Sequence, residues 1–111
     1  MCIRDRITTD VHFGEAFRYT PFADDPGFHV NELVTGPMNS GIFPTDAYDT
    51  TLNPERLTLF APPSIGSVTS WEQAKHWFNF GELDFTRNGE LTLRIINTAG
   101  TTEFERTVGA D

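Results

Sequence analysis

Glu82-Leu83-Asp84-Phe85-Thr86-Arg87-Asn88-Gly89-Glu90-Leu91-Thr92-Leu93-Arg94-Ile95 decides how this chain folds. Apolar and polar residues alternate on both sides of Asn88-Gly89, the two-residue period of a strand with one covered face. Asn-Gly favours the left-handed backbone of a tight reversal, so the two runs read as a β-hairpin. Asn97 to Gly100 turns the chain again, and Thr102 to Val108 reads as a third strand. An antiparallel meander is therefore expected from about Phe80 to Val108. Leu83, Phe85, Leu91, Leu93, Ile95 and Phe104 should share its covered face. This element is structural and carries no chemistry.

Upstream, Ser70-Trp71-Glu72-Gln73 fits a capping box and predicts a short helix to about Trp77. Pro62-Pro63 stops regular structure. Asn53-Pro54-Glu55-Arg56 suggests one helical turn, with Asn53 as cap and Pro54 in the first position. Asn39 to Thr51 reads as loop. Phe28 to Val34 reads as a strand closed by Gly36-Pro37, and Phe22 to Gly27 as a turn around Asp25-Pro26-Gly27. Ile7 to His12 reads as the end of a strand. The expected class is mostly β with one or two short helices.

The 111 residues suit one domain, and 38% hydrophobic content with ten Phe suffices for a core. Phe13, Phe17, Phe22, Phe28 and Phe43 fall in a half with little periodicity, as if loops packed over a body supplied by other residues. A net charge of −8 excludes a nucleic-acid-binding module, which must neutralise phosphates with Lys and Arg. The same charge leaves a phosphate-ester substrate open, because bound metals reverse the local field. Cys2 is the only cysteine, which rules out disulfides and Cys-based zinc sites. No apolar run approaches the roughly 20 residues that a membrane helix needs.

Thr9-Asp10-Val11-His12-Phe13 holds the candidate chemistry. Alternation along a strand puts Asp10 and His12 on one face, roughly 7 Å apart. A carboxylate with a neutral imidazole suits iron, manganese or zinc, and the carboxylate alone also suits calcium. The structural alternative has Asp10 opening a turn and His12 packing among the phenylalanines. His29 and Glu32 stand at helical spacing in a strand setting, so their pairing reads as accidental. His76 reads as a packed or half-exposed histidine, and Asp24, Asp25, Asp46 and Asp49 as solvated loop acids. Trp71 and Trp77 read as core or interface aromatics. No Ser/His/Asp set, Walker loop or dinucleotide fingerprint is present.

Several segments in order resemble the C-terminal part of PhoD-like alkaline phosphatases, a branch of the calcineurin-like metallophosphoesterases. They are Thr9 to Phe13, Glu15 to Phe22, His29 to Gly41, and Phe78-Asn79-Phe80-Gly81 with the strands after it. The resemblance covers about residues 7 to 108. The family's commoner form is Gly-Asp-x-His, and Thr9 stands here in place of that Gly. The resemblance implies a layered α/β parent fold that hydrolyses phosphate mono- or diesters with a cluster of iron and calcium. It implies Asp10 as a metal ligand, His12 as a second ligand or transition-state contact, and Asn39 and Ser40 near the mouth of the site. It implies export to the periplasm or beyond. An upstream Asp-x-x-Tyr and an Asn-containing segment of that family are not found here, so the chain is expected to be inactive alone and to need the N-terminal part of its domain. The alternative is a non-enzymatic β-rich binding module.

Met1-Cys2-Ile3-Arg4-Asp5-Arg6 fits neither expectation. A central α/β strand leading into Ile7 to Asp10 needs an apolar run, and Arg4-Asp5-Arg6 puts three charges there. The string also looks like a translated sequencing-adapter tag. Residues 1–6 are therefore expected to be non-native and to stand outside the fold.

Overall fold

The computed structural model describes residues 5–45, 47–64 and 66–109. Leu91, Leu93 and Ile95 are buried along one side of a strand, as their alternation requires. The meander that they anchor consists of β5 (Asn79–Phe85), β6 (Leu91–Asn97) and β7 (Thr102–Val108). Both of its reversals are built alike. At the first, Gly89 N donates to Thr86 O and Thr86 N to Glu90 O. At the second, Gly100 N donates to Asn97 O and Asn97 N to Thr101 O. Gly89 (φ 80°) and Gly100 (φ 79°) take the left-handed positions, while Asn88 does not. These are turns ending in a glycine bulge, rather than the two-residue reversal that Asn-Gly first suggests.

Register puts Leu83 opposite Leu93 and Phe85 opposite Leu91, on the expected face. That face is not fully covered there: Leu83 is 40% and Phe85 65% exposed. The facing layer covers β6 and the start of β5 but not its Leu83–Phe85 end, so alternation gave the side correctly but not the extent of cover.

The facing layer is a mixed sheet of β1 (Asp5–Thr8), β2 (Gly14–Tyr19), β3 (Val30–Val34) and β4 (Pro54–Phe60), in the order β1-β3-β2-β4. Only β1 and β3 run parallel. Ala16 and Leu33 pack with Leu91, Leu93 and Ile95, flanked by Leu57, Phe104 and Val108. The two sheets thus form a sandwich around a small apolar centre. Each fully buried Leu or Ile contributes about 1.5–3 kcal/mol. Between the two sheets in sequence, Ser70 caps α1 (Trp71–Ala74), which a 3-10 turn extends over Lys75–Trp77. Gln73 N donates to Ser70 Oγ, whereas the Gln73 side chain accepts from Thr69 rather than from Ser70. Among the described residues no helix is long and apolar enough to cross a membrane.

Three expectations are corrected. Asn53 to Arg56 is not a helical turn: Pro54 opens β4, and Asn53 sits in the left-handed region at φ 52°. A proline is tolerated as the first residue of an edge strand. The aperiodic first half hides β2, which sits between β3 and β4 with Ala16 and Phe17 buried. Finally, the strand before the Asp-x-His segment is an edge strand that ends at Thr8, not a central one. Asp5 and Arg6 belong to it. An edge accommodates them: Asn31 Nδ2 donates to Asp5 Oδ1, and the Arg6 side chain is 73% exposed beside Glu32.

Candidate functional site

Beyond Thr8 the chain does not continue as a strand. Thr35 N still donates to Thr8 O, after which Asp10 (φ 72°) and His12 (φ 68°) both enter the left-handed region. Asp and His are among the few non-glycine types that occupy it readily. Two such residues around one ordinary residue are unusual, and backbone strain of this kind concentrates at functional sites. Asp10 and His12 thus face one another by curling of the chain, not by the strand alternation that the sequence suggested. Asp10 Oδ1 lies 4.0 Å from His12 Nε2.

The loop at 40–43 holds the imidazole. His12 Nδ1 is 2.6 Å from Gly41 O, Phe43 N donates to His12 O, and the two rings stack tilted at 4.7 Å. A carbonyl oxygen only accepts, so Nδ1 carries the proton, and in the neutral ring Nε2 keeps its lone pair. The Asp10 side chain is 97% exposed and the His12 side chain 25%. In that neutral tautomer the Asp10 carboxylate and the Nε2 lone pair face the same space. This arrangement suits a cation.

Both residues line a cavity of about 380 Å³ with Thr9, Ser40, Met38 and Phe80. Ser40 lines it, whereas Asn39 is exposed and is not part of that lining. The cavity floor is tied by Asn79, to which the sequence assigned no role. Its carboxamide accepts from Gly36 N (2.8 Å) and donates to Gly36 O and Trp77 O. Asn79 thereby joins the exit of β3 to the start of β5.

The other sequence candidates do not converge. His76 is exposed with its edge against Trp77, and His29 Nδ1 lies near Gly27 O. Trp77 packs on Phe60, while Trp71 is exposed. Asp25 closes the expected turn, with its N donating to Phe22 O. Asp46 lies outside the described residues. Asp49 accepts from Thr51 N and Thr51 Oγ1, which lowers its carboxyl below the ordinary carboxylate range. Glu32 stands at helical spacing from His29 but lies in a strand, β3. It is buried and accepts from Thr8 Oγ1 (2.6 Å) and Tyr19 OH (2.8 Å), with Arg6 Nε at 3.2 Å. Its signal was a Glu set between Val30 and Val34 on one face of the strand.

The chain matches no protein-family model, no curated protein and no solved structure.

Asp10 and His12 offer donors of the right types for iron, manganese or zinc. The carbonyl behind Nδ1 is the usual second partner of a metal-bound histidine. Two side chains do not complete a site, since catalytic zinc centres take three protein ligands. Among the described residues no group of three or more His, Cys, Asp or Glu side chains comes together. The pair fits a share of a metal site rather than a whole one.

Proposed function

We propose that this chain supplies one metal-binding segment of a phosphoric ester hydrolase of the PhoD-like type, whose remaining ligands come from polypeptide outside it. The supporting observation is the His12 ring: its Nδ1 is fixed by Gly41 O, and its Nε2 faces an exposed Asp10 carboxylate. Asp10 contributes negative charge to a divalent or trivalent cation, iron and calcium by the family resemblance. His12 contributes either a nitrogen ligand or a contact to the phosphoryl group. Metal ions bound there would polarise phosphoryl oxygens and lower the pKa of a water molecule. Ser40, at the edge of the same cavity, offers a hydroxyl to an ester oxygen. An exported phosphatase is the setting that goes with this assignment.

Mn²⁺ titration of the chain, followed by amide line broadening, tests the metal share without requiring turnover. Broadening should centre on Asp10, His12 and the 40–43 loop and should vanish in Asp10→Asn. Broadening equally strong at the Asp24–Asp25 turn would mark mere surface carboxylate binding and sink the proposal. The second possibility, a β-rich binding module without catalysis, draws support from a separate cavity on the outer face of the four-stranded sheet.

A further inference from the structure

Residues Thr8 to Phe13 divide between two cavities. Thr9, Asp10 and His12 line the one described above, while Thr8, Val11 and Phe13 line another. The second lies on the sheet face turned away from the meander and has a volume of about 420 Å³, within the range of small-molecule sites. Strand alternation builds its wall. Glu15, Phe17 and Tyr19 of β2 point there together, beside Val30, Glu32 and Val34 of β3. The 47–52 loop brings Tyr48 over Phe17, ring centroids 5.2 Å apart.

We infer that this cavity binds a small organic ammonium, with its apolar body among the aromatic rings and its charged head beside Glu15 and Glu32. Charge is the first reason. Glu15, Glu32 and Asp49 line the cavity against a single lining guanidinium, that of Arg6. The Arg6 side chain on Glu32 is itself 73% exposed and can swing aside to admit another cation. Arg56 takes Glu15 Oε1 from β4 at 3.1 Å. The second reason is the aromatic wall: the faces of Phe and Tyr rings attract cations, and such cages receive ammonium ligands. Tyr48 already serves one, with Arg56 Cζ 4.8 Å from its ring centroid. Burial, first, raises the Glu15 carboxyl above its ordinary range against the opposing effect of Arg56, and a cation bound nearby would relieve that cost. Thr8 and Tyr19 hold Glu32 by donating to it, which fixes the carboxylate in the wall.

The inference is independent of the metal-site proposal, because none of the residues it uses lines the Asp10–His12 cavity. Calorimetric and NMR titration of the chain with 2-phenylethylamine, cationic at pH 7, and with neutral 2-phenylethanol test it. The amine should bind at least tenfold more tightly, with shifts confined to amides of 15–19, 30–34 and 47–52. Glu15→Gln keeps the shape and should lower amine affinity about tenfold while leaving the alcohol unchanged. Tyr48→Leu, on the exposed loop, should weaken the amine about fivefold without touching the fold. Equal affinities for amine and alcohol, shifts centred elsewhere, or no binding of either probe would overturn the inference.

Discussion

If the chain supplies a metal segment to a phosphoester hydrolase, as proposed, Asp10→Asn in that enzyme should abolish phosphoester turnover and lower the bound metal content. The amide keeps the size and one oxygen but removes the charge that offsets a divalent or trivalent cation. A neutral amide oxygen does not replace that charge as a cation ligand. His12→Ala should cost less metal but much of the rate, on the order of 10²-fold or more if Nε2 contacts the phosphoryl group as charge develops. His76→Ala is the control and should leave the rate within a few-fold, since His76 is exposed against Trp77. Metal analysis beside steady-state kinetics on the three variants reads the outcome. Equal rate losses at His12 and His76 would mean general destabilisation, and an active Asp10→Asn enzyme would remove the metal assignment.

Leu33→Ala should have the largest effect on stability. Leu33 is fully buried and packs between the layers with Leu93 and Ile95. Deleting its branched end leaves a cavity that two rigid sheets cannot close, for a loss of about 2–5 kcal/mol. At this chain length that lowers the melting temperature by roughly 10 °C or more. Gly81→Ala should cost less, about 1–3 kcal/mol by overpacking. An added Cβ there would come within 2.7 Å of Thr35 Cγ2. Thermal melts of both variants provide the measurement. A Leu33→Ala protein melting within 3 °C of the parent would show that the two sheets do not share one packed centre.

The meander was legible because every cue agreed: alternation, turn glycines and strand length all pointed one way. The strand β2 was not legible, because Gly14 to Tyr19 carries Glu15 and Arg18 at positions that normally signal a surface. The Glu15 charge is met only by a tertiary partner: Arg56 lies 41 residues away. For the same reason Asn53-Pro54 suggested a cap although it opens a strand: local chemistry favours both, and pairing with Tyr19 decides. At the site, the residue types Asp10 and His12 were readable but their geometry was not. Strand spacing brought them to one side in principle, whereas the left-handed backbone and the Gly41 carbonyl, distant in sequence, bring them together in fact. Ser40 was placed by resemblance alone, and Asn79 escaped notice because a carboxamide bridging two backbone segments leaves no local pattern.

The separation of the two sheets along the chain has a kinetic consequence. Every pairing in the meander closes a short loop, whereas β1 must find β3 across 26 residues and β2 must find β4 across 35 to 46. Closing short loops costs less entropy and happens sooner, so folding should nucleate in the C-terminal third and condense the mixed sheet upon it. In a chevron experiment Leu93→Ala should then slow refolding, while Leu33→Ala should chiefly speed unfolding. If Leu33→Ala instead acts mainly on the refolding limb, β3 is already packed on the meander at the rate-limiting barrier. A chain of this design acquires its candidate site last, when β3 brings the 40–43 loop down onto His12.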